Sequence, residues 1–436
     1  MIRDSYDLMT STDSDPARQA FEAAVLGVAA HRPSTAAALT TTLAADPDHV
    51  GAHALTGFAN LLLARSETAA PAATALGRAR AALLARDGGT ADERILVDAL
   101  ALAEAGYFGA AADRLDAGFA DRPALFPPFK IAHALRFMLG DAAGMLAASQ
   151  RAMAVWDEDL PAAGFLLGCH AFALEEHGRY DAARAAGERA IALEPRDAWG
   201  LHAVSHVHEM RGDTARGIDL LEANRDSWSR CNNFSFHVAW HLALFHLERG
   251  EHERVLQLYD DEVRPRPSDD FRDMANAVSL LWRLRQSGVA VGGRWHELAE
   301  IAHARRADTT LVFAALHNLA ALMAVGARKA ALELVAAIEA KDTETGDQAR
   351  VAASVGVPLA HLIAEHGAFA DQRALDNLLE GLPSIGGSNA QRDVFVLAVA
   401  RVAGRRGDRV ALSRIESIRH GLRAEDRLFR TIELRA

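Results

Sequence analysis

Residues 175–195 read EEHGRYDAARAAGERAIALEP. An apolar-periodic segment runs up to Gly178, and a second starts almost directly after it at Tyr180. Glycine enters the left-handed backbone region that caps a helix and turns the chain back. Small side chains at Ala171, Ala183 and Ala190 let two helices approach closely, and Pro195 stops the second helix. The stretch predicts a helix, a tight turn and an antiparallel second helix.

The same stencil recurs in AEAGYFGAAADRL, MLGDAAGMLAASQRA, MRGDTARGIDLL and ERGEHERVLQLYD. Its turn glycines are Gly106, Gly140, Gly178, Gly212, Gly250, Gly288, Gly326, Gly367 and Gly407, at intervals of 34, 38, 34, 38, 38, 38, 41 and 40 residues. Such self-similarity is the mark of a repeat array, and this unit is similar to the tetratricopeptide helical pair. Earlier pairs are expected at 16–45 and 48–85, and the series carries the array to about residue 422. The expected fold is all-α: an α-solenoid of about eleven tetratricopeptide-like helical pairs forming a right-handed superhelix. Residues 1–15 form an N-terminal arm, and 16–436 a single continuous solenoid with irregular segments at 287–295 and 381–393. No strand is expected anywhere.

Composition fits that reading. Half of the 436 residues are hydrophobic but only 6% aromatic, which suits helices packed through alanine. A formal charge of −11 without a Lys/Arg-rich run argues against nucleic-acid binding. The two cysteines, Cys169 and Cys231, exclude a disulfide scaffold and fit a reducing compartment. No signal-peptide core and no long uninterrupted apolar run is evident, so a soluble, cytoplasmic chain without a membrane partner is expected.

The histidines are less ordinary. In DAWGLHAVSHVHEMRGD (197–213), His202 and His206 stand at i, i+4, and the next unit repeats the spacing with His237 and His241. That spacing puts both imidazoles on one helical face, the geometry by which a helix offers two ligands to a divalent metal. Counted back from the turn glycines, His133, His170 and His317 fall at comparable heights on first helices, which would line the concave face. Glu209, three residues after His206, is a carboxylate ligand or a general base toward metal-bound water. His208 points away from its neighbours as a packing or surface residue. Most isolated His-x3-His pairs bind nothing, and Trp199, Trp228, Trp240, Trp282 and Trp295 are expected to pack rather than to stack on a ligand. Cys169 and His170 are adjacent and diverge by about 100° on a helix, so they are a poor nucleophilic pair.

DAWGLHAVSHVHEMRGD followed by HVAWHLALFHLERGEHERVLQLYD resembles the tetratricopeptide repeat protein 38 family. GVAVGGRW (288–295), VGVPLAHLIAEHG (355–367) and GGSNAQRDVF (386–395) resemble it too. The resemblance implies a cytoplasmic helical solenoid and no particular activity. It places Asp197, Trp199, His202, His206, His208, Glu209, His237, Trp240 and His241 in the family's pattern, with His53, His133, His317, Arg294, Trp295, Asn389, Gln391, Arg392 and Asp393. His170 and His246 fall outside it. In GGSNAQRDVF two glycines interrupt the helix and Ser388 or Asn389 caps the next. Arg392 in that first turn opposes the helix dipole, so another task is expected, an ion pair or an anion.

Two functions follow. One is a histidine-rich pocket that binds a small molecule and a metal ion, with His206, Glu209 and His241 as acid/base groups for hydrolytic or acid/base chemistry. His202, His206, His237 and His241 would hold the metal; Trp199, His133, His317, Asn389, Arg392 and Asp393 would hold the ligand. The other is an adaptor that takes a partner peptide in an open groove, although the spread of Lys, Asn and Arg clamps typical of such grooves is missing.

Overall fold

The computed structural model describes residues 1–119, 122, 125–364, 372–423, 426, 429 and 430. The regular elements among them are almost all helices, and none of these helices is long and apolar enough to cross a membrane. The chain forms two compact units, 1–204 with 226–232 and 205–225 with 233–436.

In the first unit the expected early pairs are Asp15–Ala29 with Thr35–Ala45 and Val50–Leu61 with Ala69–Ala85. The glycine-turned pairs Ala91–Glu104 with Phe108–Gly118, Phe126–Met138 with Ala142–Met153, and Ala163–Glu176 with Tyr180–Leu193 follow. The expectation of no strands is corrected in the arm. Ile2–Arg3 and Met9–Thr10 pair antiparallel, because a tight turn with Asp7 at φ 66° folds the segment on itself. Its backbone is then held by the helix start at Ala91: Met9 N–H donates to Asp92 at 2.8 Å and Ser11 N–H to Glu93 at 2.8 Å.

The second unit holds the pairs Phe234–Glu248 with His252–Leu258, Phe271–Gln286 with Arg294–Ala304, Val312–Ala324 with Arg328–Asp342, and Asn389–Arg405 with Arg409–Leu422. Two π-helical turns, Tyr259–Val263 and Ala352–Gly356, depart from the plain stencil. The expected irregularity at 381–393 is a short 3-10 turn, Leu382–Ile385, followed by Gly386 and Gly387 at φ 87° and 75°. Ser388 then caps Asn389–Arg405, with Gln391 returning the bond to the cap.

The glycine ruler holds in the backbone. Gly106, Gly140, Gly178, Gly212, Gly250, Gly288, Gly326 and Gly407 all have positive φ, from 62° to 87°; Gly367 lies outside the described residues. At each one the following residue donates back to the preceding helix, as Arg179 N–H does to Leu174 at 3.0 Å and Glu251 N–H to His246 at 3.0 Å. This is the bond of a Schellman cap. A Cβ at Gly178 would meet nothing within 4 Å, so conformation and not space demands glycine there. Gly168 is the opposite case. Its Cβ would fall 2.0 Å from Asp197 Oδ2 and 3.1 Å from the Gly200 Cα, where two helices touch backbone to backbone.

The two positions therefore respond in opposite order to the same substitutions. Gly178→Ala lowers stability by about 1–2 kcal/mol through the left-handed strain, and Gly178→Asn loses less because asparagine tolerates that region. Gly168→Ala loses about 1–3 kcal/mol by overpacking, and Gly168→Asn loses more. Urea-unfolding midpoints of the four variants check this ranking.

Candidate metal centre

Two neighbouring first helices build the centre. Ala198–Arg211 carries His202, His206 and Glu209 on successive turns, and Phe234–Glu248 carries His237, Trp240 and His241. His206, His237 and His241, all of the second unit, are a buried cluster that offers ligand nitrogens within 4.8 Å of one another. His206 and His241 are fully excluded from solvent. Their rings lie 4.5 Å apart between centroids, and those of His237 and His241 4.8 Å apart.

The partners of the outer nitrogens decide what the inner ones present. His241 Nδ1–H donates to Glu209 Oε2 at 3.0 Å, and His237 Nδ1–H donates to Asn276 Oδ1 at 2.9 Å. In a neutral ring the proton on Nδ1 leaves Nε2 as a bare acceptor. The two Nε2 atoms face each other at 3.3 Å. Burial holds both imidazoles well below the usual histidine range, and each is held lower still by a neighbouring histidine, His237 by His241 and His241 by His206. Two opposed lone pairs repel, and a cation between them removes the repulsion. The spacing matches one: nitrogens at about 2.0–2.1 Å from a tetrahedral zinc stand about 3.3–3.4 Å apart.

Glu209 is fully engaged. Oε2 holds His241, and Oε1 accepts from Arg423 Nη2 at 2.9 Å. Such a carboxylate fixes the tautomer and direction of its histidine, which is a different task from attacking water. Arg423 reaches Glu248 at 3.7 Å and Asp393 at 3.9 Å as well. Asp393 is shared with Arg283 at 3.2 Å and with Arg419, which pairs again with Asp426 at 2.5 Å. Burial raises the Asp393 carboxyl, but Arg419, Arg423 and Arg283 together outweigh it and bring it down to about 2. Burial moves Glu248 upward, against the pull of Arg423. Three arginines thus face four carboxylates, and the network carries no surplus positive charge for an anionic ligand.

Of the residues singled out in the sequence, Glu209 meets His241 directly and Asp393 joins through Arg423. Arg392 bonds locally, to the Gly387 carbonyl and to Asn389 Oδ1 at 2.8 Å. His317 bonds the Phe313 carbonyl at 2.8 Å and packs on Phe395, and burial lowers it to about 4. His208 is buried and lies 3.8 Å from Asp213 in the adjoining turn. His133 and Trp199 belong to the first unit, with ring centroids 5.9 Å apart. Trp228 and Trp240 are core residues, and Cys169 is buried with its thiol pushed up to about 11, away from nucleophilic use. Arg283, Asn276, Arg419, Arg423 and Asp426 were not anticipated. Arg283 left a trace, a charge inside the apolar run MANAVSLLWRL; Arg423 and Asp426 sit beyond the repeats and left none. A scan of the sequence against protein-family models finds no match.

Arg423 is the common counter-charge of Glu209, Glu248 and Asp393, and breaking a buried pair on one side leaves uncompensated charge. Arg423→Met is expected to lose about 3–5 kcal/mol of stability, read from urea unfolding. Glu209→Gln, which keeps the shape but can accept from only one of His241 and Arg423, loses less, because Glu248 and Asp393 still face Arg423.

Proposed function

We propose that this chain is a tetratricopeptide-like repeat protein of the protein 38 family whose working centre is a divalent metal of the zinc class. His206, His237 and His241 of the second unit would hold the ion. The observation that carries the reading is the pair of Nε2 lone pairs set face to face by Glu209 and Asn276 at 3.3 Å. Glu209 supports the centre as an orienting residue, because both of its oxygens are already used. An open peptide groove is less favoured, since His133, His202, His206, His237, His241 and His317 are buried.

Protein purified without a polyhistidine tag is expected to carry about one equivalent of metal by elemental analysis. His206→Ala and His241→Ala are expected to abolish it, and Glu209→Gln to weaken affinity about 10–100-fold. Removal of the metal by a chelator should lower the melting temperature of the wild type and leave that of His241→Ala unchanged. A metal-free protein whose melting is indifferent to added zinc, manganese, nickel or ferrous iron would refute the proposal.

A further inference from the structure

The N-terminal arm folds around one carboxylate. Asp4 is only 6% exposed, and its Oδ1 accepts from the N–H groups of Tyr6 at 2.9 Å and Leu8 at 2.8 Å. The Asp4 N–H donates to the Leu8 carbonyl at 2.9 Å, which closes the turn. The other oxygen, Oδ2, is buried and has no hydrogen-bond partner among the described residues. A carboxylate with one oxygen left bare inside a protein is costly when ionised and much less so when protonated.

The surrounding charges do not relieve that cost. Glu22, on the helix Asp15–Ala29, and Asp7, in the arm's own turn, both repel a charge on Asp4. The cations near the arm are engaged elsewhere: Arg3 with Asp7, Arg18 with Asp15 and Glu22, Arg122 with Asp7 and Asp92. Asp92 and Glu93 accept from the arm's Met9 and Ser11 N–H groups, and Arg196, near Tyr6, pairs with Glu194 at 2.6 Å. Burial outweighs the two backbone hydrogen bonds, Glu22 and Asp7 add to it, and the Asp4 carboxyl is pushed up to about 7.

The turn that Asp4 closes is what seats the arm. Leu8 within it is fully buried, the Tyr6 ring packs on Phe126 at 5.9 Å between centroids, and the Thr90 hydroxyl donates to the Met9 carbonyl at 2.7 Å. We propose that residues 1–11 form a pH-dependent latch, seated on the first unit while Asp4 carries a proton and loosened when it ionises. A freed arm titrates Asp4 near about 3.9, below its seated value of about 7. Seating is therefore strongest below about 4 and is lost progressively as the pH rises through 7. Loosening uncovers the seat of Leu8 and the face of Phe126. The latch shares no residue with the metal centre and stands independently of it.

Hydrogen exchange of the full-length protein, read by mass spectrometry and normalised to the intrinsic rate at each pH, tests the proposal. Protection of the arm's amides is expected to fall by about tenfold or more from about pH 5.5 to about pH 8. The helix Ala163–Glu176 of the same unit should keep its protection over that range. Asp4→Asn, which cannot ionise, should hold the arm's protection constant. Glu22→Gln keeps an acceptor for Ser5 and removes one repelling charge, so its fall should be smaller and end at lower pH; it decides the matter if Asp4→Asn does not seat. The proposal is overturned if the wild-type arm shows no such fall, if Ala163–Glu176 loses protection in parallel, or if both variants keep the wild-type fall.

Discussion

A helix buried on every side has no solvent face on which to leave a polar group, and this constraint governs the molecule. The helix Phe234–Glu248 shows it plainly, since ten of its fifteen residues are buried and the apolar side chains do not gather on one face. In such a helix an imidazole or a carboxylate must find its partner inside the protein, or it destabilises the fold by about 1–3 kcal/mol. Three histidines of the first helices are set in such bonded geometries: His241 against Glu209, His237 against Asn276, His317 against the Phe313 carbonyl. Partners on the outer nitrogens leave the inner ones turned toward each other.

The same constraint explains the charges that surround the centre. Glu209 orients His241 only if its own charge is balanced, and Arg423 balances it from a segment more than two hundred residues away. Arg423 in turn is shared with Glu248 and Asp393, and Asp393 is shared with Arg283 and Arg419. The network is interdependent, because each ion's desolvation is offset by more than one neighbour. A carboxylate held this way is suited to fixing a ligand's tautomer and poorly suited to exchanging protons with a substrate. For a Glu three residues after a His, the engagement of both oxygens favours the proposed role of a support over that of a general base.

The helical pairs could be read from the sequence because they rest on local chemistry. A glycine at positive φ, an alanine at a helix crossing and a proline after a helix each act within a few residues, and their repetition multiplies the signal. The i, i+4 histidine pairs were legible for the same reason. The small hairpin of the arm was not. Its strands are two residues each, too short to show alternation, and they are held by Asp92 and Glu93 some eighty residues away. Nor could the Gly387 carbonyl be read as a partner of Arg392, since it belongs to the preceding glycine turn.

The sequence by itself determined the alternation of helix, left-handed glycine and helix, and placed two histidine pairs on successive first helices. Tertiary structure alone decided which nitrogen of each ring faces its neighbour, because that depends on Glu209, Asn276 and Arg423, whose approach no spacing encodes. It also decided that Lys130 and His133 end up buried around one indole. Periodicity records which face of a helix is apolar; it carries no record of what stands across from that face once the chain has folded.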